Sequence, residues 1–114
     1  MIKGKKKEEL SMDSILSKVS DFQIYSHYMP YKDWELNQVT NSPFCEDKNP
    51  SFLIGNKFGG ITHVAFNDPH KRGDCFSFVK QLFNLSSLND VLEKIDFDLG
   101  LGIRGIEKDY KSEV

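Results

Sequence analysis

Apolar residues at steps of three and four predict a helix near the start of the chain. The stripe consists of Ile15, Leu16, Val19, Phe22 and Tyr25, and this spacing places them on one helical face. Ser11 or Asp13 can accept a hydrogen bond from the first free backbone N–H groups, so we expect one of them to cap the helix. The helix should end before Pro30, because a residue that precedes proline disfavours helical angles.

Between residues 34 and 66 the pattern changes to short alternating runs, which predicts strands separated by turns. We expect a first strand around Trp34, Leu36 and Val39, and two more at 51–54 and 61–66. The last two should form an antiparallel hairpin. Turns are predicted at 41–43, 47–50 and 67–73, where Asn, Asp, Ser, Pro and Gly concentrate.

Helical spacing returns after Gly73. Asp74 is the predicted N-cap of a helix whose buried side is formed by Phe76, Val79, Leu82 and Phe83. A second helix follows Ser87, which together with Asp90 resembles a capping box, with Val91, Leu92 and Ile95 facing inward. Leu99, Leu101 and Ile103 are expected to pack as a strand or a hook.

The predicted fold class is α+β, with a small antiparallel sheet flanked by an N-terminal helix and two C-terminal helices. A sheet of this size is not stable alone, so the helices must cover one of its faces. The 114 residues fit one domain. We expect a flexible basic head at 1–10, the folded domain at 11–103 and a charged tail at 104–114.

Composition narrows the function classes. The formal net charge is -2, whereas most nucleic-acid-binding domains are clearly basic. Basic residues do cluster in the head and at Lys71 and Arg72. Two cysteines do not form a disulfide framework. No apolar run approaches the ~20 residues that cross a bilayer, and no signal peptide is recognisable. These features favour a cytoplasmic protein.

No catalytic constellation is recognisable, so the chain is predicted not to be an enzyme. Cys45 and Cys75 lie in no known nucleophile motif. The Gly59-Gly60 pair lacks the spacing and the lysine of a phosphate-binding loop. Asp96 and Asp98 are close in sequence, but a solvated face explains them better than an acidic catalytic cluster.

Two segments together resemble a known family. Residues 42–52 are S-P-F-C-E-D-K-N-P-S-F, and residues 73–79 are G-D-C-F-S-F-V. They are similar to the zinc-ribbon domain at the N-terminus of bacterial and phage DNA primases. That family has C-P-F-H-x-E-K-T-P-S-F, then a hairpin with C-x-x-C, then G-D-x-x-x-F-V on a helix. The resemblance covers about residues 12–101.

The resemblance implies a zinc site that this chain has largely lost. The four ligand positions fall on Ser42, Cys45, Ala65 and Asp68, of which only the cysteine is a good zinc donor. We expect no cofactor there. Ser42 and Asp68 should instead bond backbone N–H groups, and aromatic packing should replace the ion. The nearby aromatic residues are Phe44, Phe52, Phe58, Phe66, Phe76 and Phe78.

A rearranged zinc site is the alternative. Its donors would be Cys45, His63, His70 and Cys75. No pair among these four has the two-residue gap that places ligands on one turn, so the spacing argues against zinc.

In the resembled family this domain is not catalytic and helps to engage single-stranded template. The resemblance therefore implies a DNA-binding module of a replication or priming system, of a phage or mobile element in a bacterial cytoplasm. Its partners would be single-stranded DNA and a helicase, primase or polymerase. The candidate contacts are the cations Lys48, Lys57, Lys71 and Arg72 and the stacking rings Phe52 and Phe66.

The alternative function is a protein-interaction adaptor or inhibitor that docks on a replication protein. An exposed patch of Tyr25, Tyr28, Tyr31 and Trp34 would suit it, because tyrosine and tryptophan are enriched at protein interfaces. The same four residues could equally pack the first helix on the sheet.

Overall fold

The computed structural model describes residues 9–44, 49–56 and 59–103. They form an α+β fold with a four-stranded antiparallel sheet, as predicted. The elements are α1 (Met12–Leu16), α2 (Asp21–Tyr28), β1 (Val39–Thr40), β2 (Phe52–Gly55), β3 (Thr62–Ala65), β4 (Arg72–Gly73), α3 (Cys75–Phe83) and α4 (Leu88–Asp98). Most of the predicted head at 1–10, and all of the tail at 104–114, lie outside the described residues.

The N-terminal region forms two helices where one was predicted. Ser11 caps α1, and Ser20 starts α2 as the N-cap of a second capping box, in which its hydroxyl accepts the N–H of Gln23. Because an N-cap residue adopts extended angles, the helix cannot continue through Ser20. Because a new helix begins at Ser20, the predicted apolar stripe does not continue on one face, and Phe22 is exposed. The predicted end before Pro30 is confirmed.

The strands follow the order β1-β2-β3-β4, and every neighbouring pair is antiparallel. The predicted hairpin between 51–54 and 61–66 is confirmed as β2 and β3. The predicted first strand is reduced to Val39–Thr40, and β4 lies within the segment predicted as a turn. Two-residue strands carry too little alternation to be recognised without their partners.

The helices cover one face of the sheet. That inner face carries Phe52 and Ile54 of β2 and His63 and Ala65 of β3, all buried. The main helical contributions to the core are Ile15, Ile24, Tyr25, Phe78, Val79, Val91 and Ile95. α4 is the longest described helix at 11 residues, and none of the described helices is both long and apolar enough to cross a bilayer.

The predicted N-caps of the two C-terminal helices are both present, but Asp90 does not complete the predicted capping box with Ser87. Asp74 accepts the N–H of Ser77 and Ser87 accepts the N–H of Asp90. The carboxylate of Asp90 bonds the hydroxyl of Ser86. Phe83 is exposed, although the helical spacing predicted it to be buried.

The chain after α4 folds back as a hook. The Asp96 carboxylate is buried and accepts the N–H of Ile103, whose side chain is buried as well. The prediction that Asp96 belongs to a solvated face is therefore wrong. A buried carboxylate is stable here because it accepts a backbone hydrogen bond and so orders the hook.

Candidate nucleic-acid interface

The two turns that correspond to the zinc-ligand positions lie at the same end of the sheet. β1 and β3 are both antiparallel to β2, and Thr40 and Ala65 both lie opposite Phe52. The turns that follow these two strands therefore leave the sheet side by side. The ammonium group of Lys71 lies 5.6 Å from the centre of the Phe44 ring, which joins the two turns directly.

The described ligand positions do not fit a zinc ion. The Ser42 hydroxyl accepts the N–H of Phe44 at 3.1 Å, and the Asp68 carboxylate accepts the N–H of His70 at 3.1 Å. The predicted turn-stabilising hydrogen bonds are thus confirmed. Ala65 offers only a buried methyl group, and Cys45 lies outside the described residues. Tetrahedral zinc requires four N, S or O donors.

Aromatic rings fill the space between the two turns. The Phe44 ring lies edge-on to Phe52 and to Phe78, with centroids 5.6 and 5.8 Å apart. Phe52 and Phe78 are fully buried and lie 6.0 Å from each other. The predicted aromatic packing is confirmed for these three rings. Edge-on and tilted pairs at such distances add to the stability gained by burial.

His63 is held in this cluster by two side chains. Its Nε2 lies 2.8 Å from the Gln81 Oε1, while the Gln81 Nε2 donates to the carbonyl of Arg72. The Gln81 oxygen is therefore the acceptor, and His63 Nε2 carries the proton. His63 Nδ1 then accepts from the Tyr25 hydroxyl at 2.8 Å. The Tyr25 hydroxyl also lies 3.2 Å from the Gly73 carbonyl.

This environment does not suit a rearranged metal site. Both ring nitrogens of His63 are already hydrogen-bonded, to Tyr25 and to Gln81. Burial raises the pKa of Cys75 to about 12, so its thiol stays protonated. Among residues 9–44, 49–56 and 59–103, no three His, Cys, Asp or Glu side chains come close enough together to hold a metal ion.

We expect the melting midpoint to be unchanged by excess EDTA. The hydroxyl of Ser42 and the carboxylate of Asp68 already bond backbone groups, and the rings occupy the space beside them. Thermal unfolding followed by circular dichroism tests this, with zinc-saturated EDTA as the control for ionic strength. A midpoint that falls only in free EDTA would show that a metal supports the fold.

The outer face of the sheet is left uncovered by the described helices, which pack on the opposite face. One row of opposed residues crosses all four strands: Val39, Leu53, Val64 and Arg72. Leu53 and Val64 are half-buried, whereas Val39 and Arg72 at the two edges are exposed. The face is therefore an aliphatic strip that ends in a guanidinium group.

Three of the predicted contact residues lie together on the hairpin between β3 and β4. Phe66 follows β3 with 59% of its surface exposed. Lys71 and Arg72 complete the hairpin, and the Ala65 N–H donates to the Lys71 carbonyl. Side chains alternate along a strand, so Phe66 continues on the side of Val64, the outer face.

The prediction that Phe52 stacks on bases is wrong, because the ring is fully buried. It lies on the inner face, and a ring without an exposed side cannot contact a ligand. Lys48 and Lys57 lie outside the described residues, so their predicted contacts remain predictions.

The predicted exposed tyrosine patch is also wrong. Tyr25 is fully buried, and the Tyr28 hydroxyl donates to Asp98 at 2.7 Å. Tyr31 and Trp34 pack against the core, and Trp34 contacts Phe22 at 5.4 Å. These residues join the helices to the rest of the domain, which is the alternative that the sequence left open.

An open groove of about 350 Å³ lies along the uncovered face. It is lined by Asn37, Leu53, Gly55, Thr62, His63, Val64, Arg72 and Gly73. Sequence reasoning missed this groove. The alternation along β2 predicts that Leu53 and Phe52 point to opposite faces of the sheet. Asn37 and Arg72 reach the groove only because of how the strands pair in the folded protein, which the sequence pattern does not show.

Comparisons with protein-family models, with curated proteins and with solved structures gave no match to this chain. The function is therefore inferred from the chemistry and geometry of the described residues.

Proposed function

We propose that this protein is a non-catalytic module that binds single-stranded DNA on the outer face of its sheet, within a replication or priming system. The observation that carries the proposal is the exposed Phe66 ring on the same hairpin as Lys71 and Arg72. The resemblance to the primase zinc-ribbon domain supports the same function.

The hairpin offers both groups that single-strand binding requires. Single strands bind where cations follow the phosphates and exposed rings stack on bases. Phe66 is the described aromatic residue that is exposed on the sheet, and a ring so exposed gains little stability for the fold. Among the described residues Arg72 has no ion-pair partner, and the ammonium group of Lys71 lies over the Phe44 ring.

The aliphatic row supplies a surface for further bases. Leu53 and Val64 present half-buried apolar side chains beside Arg72, which lies directly opposite Val64. Bases unstacked from a single strand expose apolar faces, which gain free energy when they leave water. The uneven distribution of charge explains how a chain with a net charge of -2 can still bind DNA locally.

We expect the double variant Lys71→Ala, Arg72→Ala to bind a labelled oligothymidylate more weakly and with less sensitivity to salt. The slope of log K against log salt is negative, and removing two phosphate contacts from a single-strand complex should reduce its magnitude by about 1.4. Phe66→Ala should weaken binding without changing this slope, because a ring releases no counterions. Fluorescence anisotropy at several salt concentrations measures both effects.

The matched control is Lys18→Ala, Lys80→Ala. It removes the same charge from exposed lysines that follow α1 and lie on α3, away from the outer face. An equal loss of affinity in the control would show that binding follows net charge and not this face.

The second candidate is a protein-binding adaptor. It is favoured by Phe97, which is 69% exposed on α4, and by the exposed Phe22 on α2. Both lie on the helical side, so this function would use a different surface. Absence of DNA binding at low salt, with association to a replication protein lost in Phe97→Ala, would favour it.

A further inference from the structure

The groove on the outer face has two chemically different ends. Its floor is aliphatic, formed by Leu53 and Val64, and Arg72 lies at the β4 edge. Asn37 and Gly55 lie at the other end. We propose that this groove is a subsite for a single guanine base, with Arg72 as the residue that determines the preference. This inference rests on the proposed function.

The size and lining of the groove fit a base better than a phosphate. Its volume of about 350 Å³ lies within the range of small-molecule sites. A phosphate on the Leu53 and Val64 floor would lose water without gaining donors, which is costly for a charged group. A planar base covers this floor with its apolar face and keeps its polar edge at the rim.

Arg72 provides the specificity. A guanidinium group can donate two parallel hydrogen bonds to O6 and N7 of guanine. In a single strand cytosine also presents two adjacent acceptors, O2 and N3, but its single ring covers less of the aliphatic floor than a purine does. Adenine and thymine present no such pair of acceptors. Among the described residues Arg72 forms neither an ion pair nor a side-chain hydrogen bond, so its donors are available. Its backbone is fixed, because Gln81 donates to its carbonyl at 2.8 Å.

The Asn37 end is preorganised. Asn37 adopts a left-handed backbone with φ of 66°, and its side-chain amide bonds Asn56 twice, at 3.2 and 3.3 Å. A methyl group added at Gly55 would lie 2.8 Å from the Asn37 Oδ1. The glycine therefore permits the amide to close this end of the groove, which limits the length of the ligand.

The test compares nonathymidylates that carry dG, dA, dC or dT at the centre, measured by competition anisotropy. We expect the dG strand to bind about tenfold more tightly than the others. An otherwise identical strand with 7-deazaguanine lacks the N7 acceptor and should lose the preference. Arg72→Ala removes the donors and should bind all four strands with similar affinity, below that of the unmodified protein for dG.

The outcomes separate the two levels of the proposal. Equal affinity of the unmodified protein for all four strands overturns the guanine subsite and leaves DNA binding intact. A dG preference that survives Arg72→Ala overturns the role of Arg72. If none of the strands binds at low salt, the proposed function fails and the subsite fails with it.

Discussion

Replacing Phe78 with alanine is expected to lower the free energy of unfolding by about 3–5 kcal/mol. Phe78 is fully buried and contacts four other rings: Tyr25, Phe44, Phe52 and His63. The whole free energy of unfolding of a small domain is about 5–15 kcal/mol, so the variant should be close to unfolding at room temperature. Urea denaturation followed by circular dichroism measures the difference.

The control for this prediction is Phe66→Ala. It removes the same side chain from an exposed position, and surface substitutions usually change stability by less than about 0.5 kcal/mol. If the two variants lost equal stability, the aromatic cluster would not be what holds the two turns together.

Acidification is expected to destabilise the protein through His63. Burial lowers the pKa of its imidazole in the folded state, while the unfolded chain titrates at about 6.5. The hydrogen bond to Gln81, the backbone of Gly73 and the charge of Asp74 oppose this shift but do not reverse it. As the pH falls below 6.5, the unfolded chain binds a proton before the folded chain does.

The stability from His63 is therefore fully present above pH 6.5 and is lost as the pH falls towards the folded pKa. A single proton accounts for a slope of at most about 1.4 kcal/mol per pH unit. Urea titrations between pH 7.5 and 5 measure this slope. His63→Asn should remove most of it, although the variant starts from a lower stability because Tyr25 and Gln81 lose their partner.

His70→Asn is the matched control, since it removes an imidazole from the exposed turn before Lys71. The acid-induced loss should persist in this variant. A slope that is unchanged in His63→Asn and absent in His70→Asn would contradict the assignment to the buried ring.

Much of the fold could be predicted because local signals and the core agree. Ser11, Asp74 and Ser87 are caps whose side-chain oxygens bond the backbone in the expected places. The hairpin of β2 and β3 followed from alternation alone. The break at Ser20 was missed because the apolar spacing continues across it, although Gln23 three residues later is a capping-box signal.

The candidate interface was less predictable, because its residues depend on which face of each strand packs against the helices. Phe52 lies on β2 and Phe66 directly follows β3, and the sequence did not show that the first ring is buried and the second exposed. Arg72 lies opposite Val64 on the outer face because β4 pairs with β3. β4 has only two residues, too few for a sequence pattern to predict it. His63 and Tyr25 meet across 38 positions of sequence, which no local pattern reveals.

The most direct test of the central claim is an NMR titration of the 15N- and methyl-labelled protein with oligothymidylate. Binding on the outer face predicts shift changes at Leu53, Val64, Phe66 and Arg72 that saturate together, while the signals of α4 around Phe97 stay in place. Shift changes confined to α2 and α4, or no change at any DNA concentration in low salt, would contradict it.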